Sequence, residues 1–289
     1  MKSKISPVFW SILVMAAALA LTLYVAVREK SYFVSINLPS QNIQLAPVTL
    51  YFLGVVLLVA LVLFFVPLRG LRYVFKILFA LMFAWGIGWI ILMGFPTLTL
   101  LAYSLGIIAG VVWIFWARVW LHDFLLLIAL AAAGSLFGYE FSPWTFMIFM
   151  LIIAVYDVLA VRFGFMVWMA DRMSRSTTLP AFILPKLMKD WRLKLETVQF
   201  GELKEKPSEE REYGVLGGGD IGFPLMLSVS VFFQSHLASA VVVGAFALVG
   251  LIGAFLIQMF WLKGKPMPAL PPIAFMSLVG LLIARQWFS

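Results

Sequence analysis

The chain has 289 residues, of which 64% are hydrophobic and 12% charged, and it carries no cysteine. So few charges cannot cover the surface of a soluble domain of that length, so the composition excludes one and indicates a polytopic membrane protein. The net charge of +8 does not point to nucleic acid, because the basic residues cluster in alternate loops.

Nine apolar stretches are predicted to cross a core of about 30 Å as helices. They lie near residues 7–27, 46–68, 73–93, 97–117, 122–138, 143–169, 214–234, 238–262 and 268–287. The first follows Lys2 and Lys4 and is too long for a cleaved signal peptide, so it reads as a retained signal-anchor helix. The fifth is short. The seventh begins in glycines and contains Pro224, which predicts irregular first turns that protein or a water-lined cavity must satisfy.

The fold class is therefore an all-α polytopic membrane protein with nine transmembrane helices. It forms one transmembrane domain over 1–289: spans one to six in 1–169, a loop over 170–213, and spans seven to nine in 214–289. Basic residues set its orientation. Lys2, Lys4, Arg69, Arg72, Lys76, Arg118, Lys263, Lys265 and the nine Lys and Arg between Arg172 and Arg211 fall on one side. The other side has Arg28, Lys30 and Arg285. This bias places the N-terminus and the 170–213 loop in the cytoplasm and the C-terminus outside the cell membrane, which requires an odd number of spans.

Within the loop, Lys186 to Phe200 mixes Leu187, Met188, Trp191, Leu195 and Val198 with basic residues. That pattern predicts an interfacial segment lying against anionic headgroups. Gly201 to Gly214 is charged and nearly free of large apolar residues, which predicts a mobile stretch. It reads equally well as a tether and as a gating or self-cleaved segment.

Of the 13 acidic residues, Asp157 and Asp220 are the two that read as lying deep in a span, while Asp123 and Glu140 sit at span ends where water is near. An acid deep in a membrane segment costs roughly 2.5–3.5 kcal/mol on translocon scales, so it marks function by default. Asp220 falls about 9 Å into span seven, and Asp157 about 8 Å below Arg162, which serves as an interfacial anchor. Spans six and seven are antiparallel neighbours, so the two carboxylates share a height. Two carboxylates that meet in a poorly solvated site share one proton. The ionised member then activates water while the protonated one polarises a peptide carbonyl, as in aspartic proteases. Which of the two starts as the acid is not assignable. The alternative is that each aspartate binds a polar side chain on a neighbouring helix and only supports packing.

Three local features flank them. Gly217-Gly218-Gly219 removes Cβ atoms ahead of Asp220 and allows another backbone to approach, although a packing run of glycines reads the same way. Pro266, Pro268, Pro271 and Pro272 forbid a regular helix where span nine opens and leave carbonyls without local donors. A plain connecting loop would look alike. Tyr156 precedes Asp157 and lines a cavity or a helix contact rather than bonding its neighbour.

Taken together, these strings resemble the presenilin and signal peptide peptidase family of GxGD intramembrane aspartyl proteases. The resemblance is carried by Tyr156-Asp157 on span six, Gly217-x-Gly219-Asp220 on span seven, and Pro268-Ala269-Leu270 opening span nine. It implies a nine-helix fold, catalytic Asp157 and Asp220, and a Pro-Ala-Leu element close to the site. It implies an endopeptidase that needs no cofactor or metal and cuts transmembrane protein substrates within the lipid bilayer. Pro271 and the cytoplasmic loop look presenilin-like, and the short N-terminus and modest loop look archaeal. The loop lacks a long insert, so no obligatory partner subunits are expected, and homo-oligomerisation is left open.

Intramembrane acids beside broken helices also describe ion-coupled transporters and leak channels. His122 and His236 do not form a His-Glu-x-x-His zinc motif. A serine dyad would need Ser135 with His236, and Ser135 lacks the following glycine of a rhomboid-type nucleophile. Prepilin peptidases share a Gly-x-Gly-Asp aspartate but lack the Pro-Ala-Leu element.

Overall fold

A computed structural model describes residues 7–36, 44–165, 168–169, 179–198, 212–262 and 267–288. Nine α-helices lie among these residues: α1 (Pro7–Ser35), α2 (Leu45–Phe65), α3 (Leu68–Gly94), α4 (Thr99–Phe115), α5 (Val119–Glu140), α6 (Pro143–Arg162), α7 (Gly218–Gln234), α8 (Leu237–Phe260) and α9 (Leu270–Phe288). Eight of the nine are long and apolar enough to cross a membrane. The remaining one, α7, has 17 residues and begins three to four residues later than the glycine-rich span was expected to.

The reason for that late start is a feature the all-α expectation lacks. Tyr213–Gly217 is a strand, β2, paired antiparallel with β1, Ala181–Pro185. The apolar run Ala181-Phe182-Ile183-Leu184 is buried on both faces, which is why it reads as part of a loop when only charge is considered.

Local chemistry explains the ends of α6 and the break between α2 and α3. Ser142 caps α6 by accepting Thr145 N–H at 3.2 Å, with Pro143 at the first helical position. The helix stops at Arg162, short of the expected 169, and Gly164 follows with φ +73°. Pro67 separates α2 from α3. The fifth helix is longer than its apolar core, because His122 and Asp123 lie inside it.

Packing places α5 and α7 at the centre, with α1, α3, α6, α8 and α9 around them. By contrast, α2 touches chiefly α6 and is exposed along most of its length. Ser230 Oγ on α7 donates to Phe141 O between α5 and α6 at 2.5 Å, tying the middle of the bundle together. The start of α9 lies hard against α8: a Cβ on Gly250 would fall 2.7 Å from Pro272 O. Glycine at that position lets the Pro-Ala-Leu end of α9 sit where it does.

The 170–213 region is described only in part. The segment from Lys186 contains short 3-10 turns at Met188–Arg192 and Leu195–Thr197. Leu195 and Val198 are buried and Trp191 meets Trp10 edge-on at 5.2 Å, so these side chains pack on the protein, while Met188 and Leu193 are exposed. Phe200 and most of the stretch expected to be mobile, residues 201–211, lie outside the described residues.

Candidate active site

The Pro-Ala-Leu end of α9 can be built from backbone chemistry. A helix leaves its first four N–H groups without intrahelical partners. In α9, Pro271 and Pro272 have no N–H, and Ile273 N–H reaches Ala269 O at 3.5 Å. Leu270 N–H remains, and it donates to the carboxylate of Asp157 on α6. The four prolines therefore do not prevent a helix, as the sequence suggested. Two of them occupy its first turn, where a missing N–H costs nothing, and residues 267–269 stay non-helical.

Asp157 is 5% exposed, and its Oδ1 makes no hydrogen bond among the described residues. An acceptor of that kind, buried and unsatisfied, calls for a functional explanation. Next to it, Tyr156 is half-buried and meets Phe52 of α2 edge-on at 6.0 Å, so it forms a helix contact as expected.

Asp220 stands in the first turn of α7, half-buried, and its charge interacts directly with that of Asp157. Gly217 N–H, at the end of β2, donates to the Asp220 carboxylate. A Cβ on Gly217 would lie 2.9 Å from Asp220 Oδ2, so a side chain there would collide with the carboxylate. Gly218 N–H donates to Pro180 O at 2.9 Å, which fixes the turn between strand and helix. Pro224 denies the carbonyl of Asp220 its usual donor four residues on, loosening the helix at this one residue. Gly219 is exposed, with Phe223 beneath it. Pro268 and Ala269 are half-buried in the coil leading to Leu270, which is buried.

The structure thus brings α6, the strand-to-helix turn before α7, and the start of α9 to one place, with α6, α7 and α9 in mutual contact. The sites considered for other chemistries are elsewhere or otherwise engaged. Ser135 is bonded to Glu29 Oε1 at 2.7 Å. His236 stands at the N-cap of α8. His122 is enclosed by the rings of Phe79, Phe83 and Trp113.

Two acids escaped the sequence reading. Asp123 was placed near water at a span end, yet it is 4% exposed and accepts Ile183 N–H from β1. Its signal is covered by the polar neighbours Arg118 and His122, which suggest an aqueous helix end. Glu29 was counted beyond the first span, yet α1 continues to Ser35 and Glu29 is fully buried. Arg28 and Lys30 on either side disguised it as loop.

A helical membrane bundle in which carboxylates on separate helices feel each other's charge suits a membrane-embedded aspartyl protease. The chain belongs to the signal-peptide peptidase, presenilin aspartyl protease family, whose sequence model it matches over residues 10–288. It is an intramembrane aspartic endopeptidase by that membership, and the transporter and leak-channel readings gain no support. Among solved structures it is similar to a presenilin family intramembrane aspartate protease in the C222 space group, at 18% identity and TM-score 0.66, over 97% of this chain and 99% of that one. The P2 form of such a protease gives 18% identity and TM-score 0.60, over 95% and 96%. At that identity the likeness is one of fold. No curated protein matches the chain.

Proposed function

We propose that Asp157 and Asp220 are the catalytic dyad, and that they cut peptide bonds within transmembrane segments of other membrane proteins. The observation that carries this reading is the buried, unbonded Oδ1 of Asp157 beside Asp220, with Leu270 N–H on the same carboxylate. The pair holds one proton between them. The ionised member takes a proton from water, whose oxygen attacks the peptide carbonyl carbon, while the protonated member donates to the carbonyl oxygen. The resulting gem-diol collapses as a proton passes to nitrogen, the C–N bond breaks, and acid and amine ends form.

A substrate helix hides its peptide bonds in its own hydrogen bonds, so it must unwind before water reaches them. In this reading it enters laterally, and its extended backbone lies beside Gly219 and the coil of Pro268, Ala269 and Leu270. Gly217 keeps the Asp220 carboxylate clear, and Tyr156 lines the same side. The whole chain, 1–289, acts as one transmembrane domain in the cell membrane. Its N-terminus and 170–213 loop face the cytoplasm and its C-terminus the outside, on the strength of the basic-residue bias. It works without obligatory partner subunits, alone or as a homo-oligomer.

The test is cleavage of a transmembrane peptide by the purified chain reconstituted in lipid. Asp157→Ala and Asp220→Ala should each abolish cleavage while the protein remains folded. Turnover that survives either change removes the dyad.

A further inference from the structure

The sheet before α7 has a register that decides which of its groups face outward. Lys186 N–H donates to Glu212 O at 3.1 Å, and Gly218 N–H to Pro180 O at 2.9 Å, at the two ends of the ladder. Between them Phe182 stands opposite Leu216 and Leu184 opposite Gly214. Hydrogen-bonded pairs alternate with non-bonded ones in an antiparallel ladder. The even-numbered residues of β1 therefore bond β2, and Ala181 and Ile183 turn their N–H and C=O away from it.

Those outward groups meet the first turns of α5. Ile183 N–H lies 3.0 Å from Asp123 Oδ1 and 3.3 Å from Oδ2. Ala181 O lies 3.2 Å from His122 Nε2, and since a carbonyl only accepts, Nε2 is the donor. The His122 ring is held by Phe79, Phe83 and Trp113 at centroid distances of 5.9, 5.9 and 6.0 Å. Nearby, Val119 N–H donates to Leu193 O at 3.1 Å and Leu195 N–H to Ala117 O at 3.0 Å, so the chain after β1 is fastened to the same end of α5.

We propose that Asp123, with His122, is a positioning residue for the reaction: it fastens the outer edge of β1 to α5 and so holds, through Pro180 and β2, the turn that carries Asp220. The physical reason is mechanical. A ribbon of two five-residue strands is marginal by itself and moves unless another element fixes it. Pro180 O holds Gly218, two residues before Asp220, so a displacement of β1 is passed to the carboxylate. Both carboxyl oxygens of Asp123 lie within reach of the one Ile183 N–H, which makes the contact specific to this residue. Its burial is tolerated because the N–H is there to meet it. The same contact occupies the outer edge of β1.

This inference rests on the reading of Asp220 as catalytic, so the experiment carries both. Cleavage of a transmembrane peptide by the full chain in lipid is measured for Asp123→Ala, Asp123→Asn, Ile183→Pro and the double variant Asp123→Ala/Ile183→Pro, with Asp157→Ala and Asp220→Ala alongside. Asp123→Ala should lower kcat at least tenfold with KM within twofold of the parent. Asp123→Asn keeps an acceptor for Ile183 N–H and should recover kcat to within threefold. Ile183→Pro deletes the same bond from its other end without touching the ladder, so the double variant should be no slower than the slower single. Parental kcat in Asp123→Ala, equal losses in the Ala and Asn variants, or multiplying losses in the double would each overturn the proposal. So would loss of folding in both Asp123→Ala and Ile183→Pro, which would assign the contact to stability alone. Cleavage surviving in Asp157→Ala or Asp220→Ala would instead remove the dyad underneath it.

Discussion

Glu29 and Asp157 are both buried acids in membrane-spanning helices, and their surroundings differ in kind. Glu29 Oε1 receives Trp89 Nε1 from α3 at 2.5 Å and Ser135 Oγ from α5 at 2.7 Å, so side-chain donors from two other helices converge on it. Asp157 has a single backbone donor, Leu270 N–H, and faces a second carboxylate. An acid met by neutral donors from its neighbours joins helices. Each acid keeps one buried oxygen without a hydrogen bond among the described residues, Glu29 Oε2 and Asp157 Oδ1, but only that of Asp157 stands near a second acid, where water or a peptide can use it. The difference teaches that depth in the membrane does not by itself mark chemistry in this protein. The company of a second acid does.

The sharpest way to break the comparison is to remove the acids. Loss of Asp157 or Asp220 should lower turnover by roughly 10⁴-fold or more, as for a reacting group acting in a unit, with thermal unfolding little changed. Next in size is Gly217→Ala. Its Cβ would fall 2.9 Å from Asp220 Oδ2 and push the carboxylate aside. A misplacement of about 1 Å costs roughly 10²-fold, so steady-state kinetics should show kcat reduced by between about ten- and a hundredfold. Glu29→Ala should behave in the opposite sense. It takes the acceptor from Trp89 Nε1, leaves Ser135 Oγ with Ala132 O alone, and opens a cavity, lowering stability by about 2–5 kcal/mol in denaturation in mixed micelles, while the folded fraction keeps kcat within about twofold. The smallest effect belongs to Trp89→Phe, which deletes one donor and should cost about 1 kcal/mol with activity intact. A Glu29 variant that folds normally but cleaves nothing would erase the distinction between the two regions.

The two regions were also unequally legible. Asp157 and Asp220 stand out because long apolar runs surround them, so hydropathy alone isolates them. Glu29 lies between Arg28 and Lys30, and the same measure ends the span there, although the helix runs on through it. Asp123 follows His122 two residues into the apolar core and was read as wet for the same reason. The ribbon of β1 and β2 was hidden in a stretch judged by its charge. Its strands are five residues each, too short for alternation to show, and their pairing spans a charged segment that local patterns cannot bridge.

The sequence by itself determined the membrane class, the helical architecture and the proline-rich start of the last helix. These are local properties: apolar length sets a span, and proline, glycine and acid act through their own backbone or their own desolvation. The tertiary structure alone decided that Leu270 N–H is the donor left over for Asp157, that a ribbon anchored on α5 carries Asp220, and that Glu29 is a junction of three helices. Each depends on groups far apart in the chain meeting within hydrogen-bond distance, and such meetings are set by the packing of whole helices, which no local pattern encodes.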